Sequence, residues 1–554
     1  MWGTLDICKT TEIGENMNLM TSAWVPVIHQ DGTKELIAPW QIAETDNPVI
    51  DINAPRPDFQ GGLYQFLIGL LQTSFAPEDE DQWLEYWEAT PTTDELKESF
   101  EKLAFAFELN NPGDVAFMQD LELSDGKEES IELLLIGAPG GNTITKNIDL
   151  FQKRHQFQKL CSSCAASALF TLQTNGPPGG SGHMAGLRGN GPITTLVMPE
   201  NRDKKSLFQC LWLNVLPKEN ANETDDAHKT NIFPWFSKTR LSKSCTTKQC
   251  QEGCPKCGTY PSNVDLLHAY WSMPRRIRLV KTSDPCKCDI CSIETDQPYK
   301  SYITKPKGYR YVGGWVHPLT PYQWAKEKLP NPIKGQKSGL SYQHWNGLVL
   351  QDTTNNYHAA KVVEYFIAER ALQIGQSQVA SLWCFGYDME PGQAKARCWY
   401  ESHFPVFYMD EKQKNNLMDW GAELINSARE VVKILRTQVK EAWFRRPKDV
   451  KGDMSSIDMQ FWQATETGFY NILEQLAALP GETGMAPAEI YQAWFKTLEK
   501  QVFQVFETAT LESNPEDLDL KRIISAQNEL RKKFYSNKTI KNLKLKATPK
   551  ETEK

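Results

Sequence analysis

The chain has 554 residues, 40% hydrophobic and 23% charged, with a formal net charge of −8, which predicts two to four domains and excludes global disorder. No apolar run of about 18 residues occurs and the first residues lack a secretion signal, so we expect a soluble, cytoplasmic protein with no membrane partner. The negative charge also excludes a generally basic surface, so any contact with nucleic acid must come from local patches.

The first part of the chain mixes predicted strands and helices. Residues 18–44 predict short strands around an Asp-Gly turn, followed by the start of a helix. Residues 60–110 are predicted to be helical, and residues 130–139 are typical of a strand that stops at Pro and Gly. The first helix has an apolar stripe that consists of Leu63, Phe66, Leu67, Leu70 and Leu71.

The middle of the chain carries a predicted helix at 161–173 and a predicted strand at 192–199. Residues 206–217 fit either a strand or a helix. Residues 218–310 are polar, rich in cysteine and interrupted by Pro, which predicts loops held together by small local links.

From about residue 357 the chain is helical, apart from a β-like section at 383–407. Residues 410–536 contain amphipathic helices with short connections, which predicts an antiparallel four-helix bundle. The first of these helices repeats apolar residues at spacings of three and four, namely Leu417, Trp420, Leu424, Ala428, Val431, Leu435 and Val439. Residues 537–554 predict a basic, disordered tail, since eleven Lys and Arg oppose three Glu between Lys521 and Lys554.

Residues 177–192 hold six glycines in sixteen positions. A nucleotide-binding loop needs a strand before its glycines and a helix after them, and here the order is reversed. No Gly-Lys-Ser/Thr occurs either. Two interpretations remain: a flexible surface loop, or a backbone that approaches a large ligand where side chains would block it. Arg188, behind the glycines, could meet a phosphate or cap a turn.

Several of the thirteen cysteines form CxxC or similar pairs, which in a cytosolic protein indicate metal ligands. Spacing alone pairs Cys254 and Cys257 with Cys288 and Cys291, and "CPKCG" is typical of a zinc knuckle. The pair at 161 and 164 could instead be small buried residues. A site of four thiolates has no open coordination position, so we predict structural zinc and no metal catalysis.

Catalytic motifs do not emerge from the sequence. The nine histidines form no HExxH and no deaminase pattern, and no GxSxG is present. His317, between Trp and Pro, is more typical of a packed turn than of a general base. We therefore predict a binding protein and not an enzyme.

Several motifs in order resemble one family. They are "NLMTSAWVPV", "CSSCAASALF", "GGSGHMAGLRGNGPITTLV", "CKCDICS", "GWVHPLTPY" and "FGYDMEPGQAKARCWYE". Together they resemble the CasA-type (Cse1-like) large subunit of the type I-E CRISPR Cascade effector complex. The resemblance implies an α+β fold, with a large mixed α/β N-terminal domain held by zinc over 17–409, followed by a four-helix bundle. Residues 1–16 are then an N-terminal extension.

The resemblance also implies a ligand set and sites for DNA. The zinc ligands become Cys161, Cys164, Cys288 and Cys291, and a surplus remains that could bind a second metal, namely Cys245, Cys250, Cys254 and Cys257. In the family the glycine-rich loop lies in the minor groove of the PAM duplex, which matches Gly179, Gly180 and Gly182, with Ser181 in place of a further glycine. A lysine that enters the groove matches Lys305 or Lys307.

Two further loops carry over from the family. A hairpin tip that separates the DNA strands matches Gly392 and Gln393, with Ala394 and Lys395 beside them. A loop near the guide-RNA end of the complex matches "DLFQKRHQ", with Phe151 as the inserted aromatic. Its positive charge comes from Lys153, Arg154 and His155.

The implied function is PAM recognition in double-stranded DNA, opening of the duplex for crRNA-guided R-loop formation, and recruitment of the helicase–nuclease for antiviral defence. The implied partners are the other Cascade subunits with crRNA, the target DNA and that helicase–nuclease. Two alternatives remain open. One is a zinc-dependent hydrolase or nuclease with His317 and the surplus cysteines as an open metal site, and the other is a zinc-held scaffold without PAM readout.

Overall fold

The computed structural model describes most of the chain. The described residues are 17–111, 114–120, 122–147, 154–177, 179, 182–218, 231–236, 239, 258–326, 328–337, 339–374, 380–390, 396–449, 451–512 and 519–548. They divide into two compact units. The first comprises the described residues of 1–335, 360–373 and 383–401, and the second those of 336–359, 374–382 and 402–554. The sequence placed one boundary at residue 409, whereas the chain passes between the units more than once.

Helices occur throughout the described chain and dominate its C-terminal part. In the first unit they are α1 (Pro57–Ser74), α2 (Glu80–Glu88), α3 (Thr93–Glu101), α4 (Gly141–Thr145), α5 (Ser162–Asn175), α6 (Leu207–Trp212) and, further along the chain, α8 (Lys361–Tyr365). In the second unit they are α7 (Trp345–Val349), α9 (Glu411–Trp443), α10 (Ser455–Ala477), α11 (Ala488–Glu507), α12 (Leu520–Ser536) and α13 (Lys538–Lys546). No described helix is both long and apolar enough to cross a lipid bilayer.

The strands are short and form several small sheets. They are β1 (Val25–His29), β2 (Lys34–Ile37), β3 (Val49–Ile52), β4 (Lys127–Ser130), β5 (Ile193–Pro199), β6 (Arg276–Lys281), β7 (Cys286–Lys287), β8 (Glu294–Thr295), β9 (Tyr299–Lys305), β10 (Tyr322–Gln323), β11 (Asn331–Pro332), β12 (Gln351–Asp352), β13 (Tyr357–His358), β14 (Ala380–Met389) and β15 (Ala396–Val406). Three sheets have the orders β2-β1-β3, β4-β9-β6 and β15-β14-β5, and β7 pairs with β8.

The core of the first unit surrounds α1. This helix begins at a proline, which fits the first helical turn, and its predicted apolar stripe is fully buried. Phe66 from that stripe makes edge-to-face ring contacts with Trp24 at 5.2 Å and Phe170 at 5.4 Å between centroids. Phe170 lies on α5, so the two helices that carry the longest buried runs of this unit meet at one aromatic cluster.

Two sequence predictions in this unit need correction. Residues 130–139 do not form a strand, because Ile131–Leu134 is a 3-10 turn that follows the short strand β4. Burial of Ile131 and Leu134 explains the apolar run without a sheet. Residues 218–310 are not only loops, since β6 and β9 pair over Arg276–Lys281 in an antiparallel sheet.

The core of the second unit joins α9, α10 and α11. All seven apolar residues predicted for one face of α9 are buried. Tyr342 stacks on Phe469 at 4.3 Å between ring centroids, and its hydroxyl lies 2.8 Å from Oγ1 of Thr465. Trp494 of α11 donates its ring N–H to the Leu424 carbonyl at 3.1 Å. These contacts link the three helices through large, fully buried side chains.

The predicted disordered tail is also corrected, because part of it is the helix α13. Asn537 caps this helix with its side-chain oxygen, which accepts the backbone N–H of Thr539 at 2.9 Å. Ile540 and Leu543 are each only 1% exposed. The lysines of this segment alternate with apolar residues at helical spacing, so the segment is amphipathic and packs on the helices before it.

Candidate functional site

Four cysteines from two distant segments lie together in the first unit. Cys161 precedes α5 and Cys164 lies in its first turn, whereas Cys288 and Cys291 lie in the connection between β7 and β8. All four are buried, and their sulfur atoms lie within 4.8 Å of one another. The sulfurs of Cys161 and Cys291 are 3.6 Å apart.

Backbone hydrogen bonds hold the two cysteine segments in place. Leu160 and Tyr299 exchange N–H to carbonyl bonds of 3.0 and 2.9 Å. The Asp289 carboxylate accepts the backbone N–H groups of Gln158 at 2.7 Å and Lys159 at 2.9 Å. Ser292 has a φ of 64°, which turns the chain sharply after the second pair. The thiols therefore converge because the surrounding backbone fixes both loops.

This cluster has the geometry and chemistry of a metal site. In a tetrahedral zinc site with Zn–S bonds of about 2.3 Å, the sulfur atoms lie about 3.8 Å apart. The four sulfur atoms here need only small movements to reach that separation. All four residues are free thiols and not disulfides. Four buried thiols without a metal would leave a polar, oxidisable cluster in the core, so the residues present fit such an ion.

The ligand set agrees with the one implied by the family resemblance and not with the one suggested by spacing. Cys161 and Cys164 join Cys288 and Cys291, where spacing alone favoured Cys254 and Cys257. The surplus residues Cys245, Cys250, Cys254 and Cys257 lie outside the described residues, and a second metal there stays a prediction.

The glycine-rich loop follows α5 and is held by contacts inside the protein. Gly179 donates its backbone N–H to the His183 carbonyl at 3.2 Å, and Gly182 accepts the backbone N–H of Lys307 at 2.9 Å. Gly182 has a φ of 87°, a conformation that favours glycine. Gly180 and Ser181 lie outside the described residues. The loop thus lies against the stretch that carries the candidate lysines.

The two candidate lysines have different surroundings. Lys305 ends β9, and its amine forms an ion pair with the Asp125 carboxylate. Lys307 is exposed, has a φ of 67° and shows no ion pair among the described residues. Lys307 also bonds to Gly182 through its backbone, so of the two candidate lysines it is the one beside the loop without an ion pair to any described residue.

Comparisons with known proteins bear on this arrangement. Residues 18–505 match the sequence pattern of the family described as CRISPR-associated protein Cse1. The chain belongs to the Cse1 family.

Solved structures share the fold of this Cse1 chain. The CasA protein of Thermus thermophilus has 14% sequence identity and a TM-score of 0.65, over 94% of this chain and 99% of that one. Cse1 from Acidimicrobium ferrooxidans has 13% identity and a TM-score of 0.63, over 97% and 100%. A chain of a CRISPR RNA-guided surveillance complex has 15% identity and a TM-score of 0.66, over 94% and 100%.

Other predicted site residues of this Cse1 chain are described only in part. The residues predicted to separate the DNA strands, Gly392, Gln393, Ala394 and Lys395, lie outside the described residues, although β14 and β15 on either side are neighbours in one sheet. Phe151 and Lys153 of the partner loop also lie outside. Arg154 is exposed and donates to the Asn147 side chain at 2.9 Å, close to the end of α4.

Arg188 of this Cse1 chain neither meets a surface phosphate nor caps a turn. It is 2% exposed and donates hydrogen bonds to four neutral side chains, namely Gln65, Asn175, Thr194 and Thr320. Burial lowers the pKa of its guanidinium to about 10. Its role is to join α1, α5 and β5 behind the glycine-rich loop.

Arg275 is a residue beside the loop that sequence reasoning missed. Its guanidinium donates to the Pro177 carbonyl, and a Cβ atom added to Gly179 would lie 2.6 Å from its Nη1. Burial, and then the charge of Arg275, lower the pKa of His183. The only sequence signal was the pair Arg275-Arg276 within the polar region 218–310, which by itself indicates no contact with residues about a hundred positions earlier.

His317 does not belong to an open metal site within the described residues. Its Nδ1 accepts the backbone N–H of Leu319 at 3.1 Å, and its ring packs on Tyr270 at 5.1 Å. Burial, and then the nearby Arg188, lower the pKa of His317. The described metal-binding group is the cysteine cluster, which does not include this histidine.

Proposed function

We propose that this Cse1 chain is the large subunit of a type I-E Cascade surveillance complex and recognises the PAM of double-stranded target DNA. The observation that carries the proposal is the hydrogen bond between Gly182 and Lys307, which joins the glycine-rich loop to an exposed lysine. A backbone loop and one cation side by side suit the narrow minor groove, where potential is negative and side chains have little room.

In this proposal Lys307, and not Lys305, enters the groove. Lys305 already pairs with Asp125, so contact with DNA would require that ion pair to break. Minor-groove readout is degenerate, so we expect tolerance of several related PAM sequences. Neighbouring residues then separate the first base pairs, and pairing between guide and target strand reads the remaining sequence.

The remaining parts have supporting roles in the same proposal. Gln393, with Gly392, Ala394 and Lys395, separates the strands. Phe151, Lys153 and Arg154 contact the guide-RNA end of the complex. A structural zinc ion held by the four buried thiolates would fix the start of α5 to the β7–β8 hairpin. The four-helix bundle rearranges on DNA binding and helps to recruit the helicase–nuclease, which cuts the DNA. This chain itself is not an enzyme and acts in the cytoplasm.

The test is binding of the assembled, guide-loaded complex to target duplexes with a randomised PAM, with and without this chain. We expect PAM enrichment only when the chain is present. Lys307→Ala should weaken binding to the enriched PAM by about tenfold or more, the size of one lost charge-assisted contact. Lys305→Ala should change it little, and Lys287→Ala, which alters an exposed lysine on β7, serves as a remote control.

Each result of this test decides one assignment. If Lys305→Ala has the larger effect, the groove-entering lysine is Lys305. If enrichment persists in both variants and without the chain, the scaffold without PAM readout is the better description. Cleavage of DNA by the isolated protein, lost on chelation of metal, would instead support the zinc-dependent nuclease.

A further inference from the structure

A cavity in the second unit has the chemistry of a receptor for a cation. Its volume is about 470 Å³, and it lies between α10, the end of β15 and the segment before α7. Its walls include Phe404, Met459, Trp462 and Tyr470. Pockets of this size hold a large side chain or a small molecule.

One face of α10 forms the floor of this cavity. Met459, Trp462, Glu466 and Tyr470 follow one another at spacings of three or four residues, which puts them on the same side of the helix. Trp462 is 4% exposed, so the inner wall is firmly packed, whereas Met459 at the other end is 40% exposed and marks the open side. The cavity is therefore accessible from solvent.

Glu466 supplies the carboxylate of this wall, and the lining also includes the exposed His403. No hydrogen bond or ion pair reaches the Glu466 carboxylate from the described residues, and no lysine or arginine lines the cavity. Burial alone raises the pKa of Glu466. A half-buried carboxylate without a cation is unfavourable, and a bound cation would remove that cost by supplying the missing charge.

We propose that this cavity receives an arginine side chain from another subunit of the complex. The charge of Glu466 favours a cation, and the aromatic and thioether walls suit a planar, weakly hydrated guanidinium better than an ammonium group. Arginine is also enriched at the centres of protein interfaces. The source of the arginine rests on the proposed assembly into a complex, whereas the chemistry of the cavity does not.

The first experiment uses the full chain alone and the probe N-acetyl-arginine amide, observed by saturation-transfer NMR. We expect the probe to bind, and N-acetyl-citrulline amide, which has a similar shape without the charge, to bind about tenfold more weakly. Glu466→Gln should weaken binding of the arginine probe by about tenfold. Glu474→Gln, which alters an exposed carboxylate on the same helix, should leave it unchanged.

The proposal is wrong if the arginine probe does not bind, if citrulline binds equally well, or if Glu466→Gln has no effect. N-acetyl-lysine amide that binds as tightly as the arginine probe would overturn the choice of arginine. Glu466→Gln keeps the size of the side chain and removes a desolvated charge, so it should fold with an unchanged or raised melting temperature.

The second experiment identifies the source of the cation. In the assembled, guide-loaded complex we expect the probe signal to disappear, because the partner's arginine fills the cavity, and Glu466→Gln to weaken retention of this chain. Probe binding that persists unchanged in the complex would overturn a partner arginine. PAM enrichment does not enter either experiment, so failure here is distinguishable from failure of PAM recognition.

Discussion

Single residues in the glycine-rich loop have reasons for their identity within the protein itself. A side chain at Gly179 would collide with Arg275 and with Cβ of His183, and Gly182 needs its left-handed backbone. Substitution of these glycines would therefore disturb the loop even if no DNA were present. Lys307 projects from an exposed position, so its side chain can be removed without this complication.

A partly buried histidine should make the stability of the protein depend on pH. Burial, and then the nearby Arg429, lower the pKa of His344 to about 4, compared with about 6.5 in an unfolded chain. Between these values the unfolded chain binds a proton that the folded chain does not, so stability falls as pH decreases from 6.5 to 4. This histidine should account for roughly 1–3 kcal/mol of that loss.

Chemical denaturation of the wild type and of His344→Asn at several pH values between 4 and 7 measures this contribution. The asparagine oxygen can still accept the backbone N–H of Ser341, which Nδ1 of His344 accepts at 3.3 Å. We expect a shallower pH dependence in the variant. Equal slopes would show that His344 takes up its proton in the folded state.

At the scale of elements, the cysteine cluster links the start of α5 to the β7–β8 hairpin. Cys288→Ser should remove one equivalent of bound metal and lower the melting temperature by several degrees, because the hairpin loses the metal link to α5. Elemental analysis together with a thermal unfolding curve measures both effects. Cys398→Ser alters an exposed cysteine on β15 and should change neither. Unchanged metal content in Cys288→Ser would contradict the site.

The helix α13 offers a second test at this scale. Leu543→Ala removes a fully buried side chain and should lower the free energy of unfolding by about 2–5 kcal/mol. Leu545→Ala, on the same helix but 72% exposed, should change it by less than about 0.5 kcal/mol. Urea denaturation monitored by tryptophan fluorescence compares the two. Equal effects would mean that this helix does not pack as described.

For the whole molecule, the net charge of −8 limits what the chain can do alone. A protein with a net negative charge repels DNA at a distance, so we expect weak binding of target duplex by the isolated chain at about 150 mM salt. Binding should become at least about a hundredfold tighter in the assembled complex, whose other subunits would supply positive charge. Electrophoretic mobility shifts of both samples measure this difference, and equal affinities would contradict it.

The sequence by itself determined the parts that depend on local periodicity and on motif order. The sequence predicted the buried stripes of α1 and α9, the β1–β2 turn and the family. Each of these depends on residues that are close together in the chain or on the order of motifs along it. The run at 130–139 misled because a short buried 3-10 turn and a strand have the same apolar composition. Helix α13 was missed because its many lysines obscured two apolar residues three positions apart.

Only the tertiary structure decided which distant segments meet. Three features depend on contacts between residues roughly a hundred or more positions apart. They are the meeting of Cys161 and Cys164 with Cys288 and Cys291, the contact of Arg275 with the glycine-rich loop, and the difference between Lys305 and Lys307. Spacing along a chain carries no information about such contacts, since loop closure is nearly as easy for a long loop as for a moderately shorter one. Packing of α1 against α5 and pairing of β6 with β9 fix these neighbours.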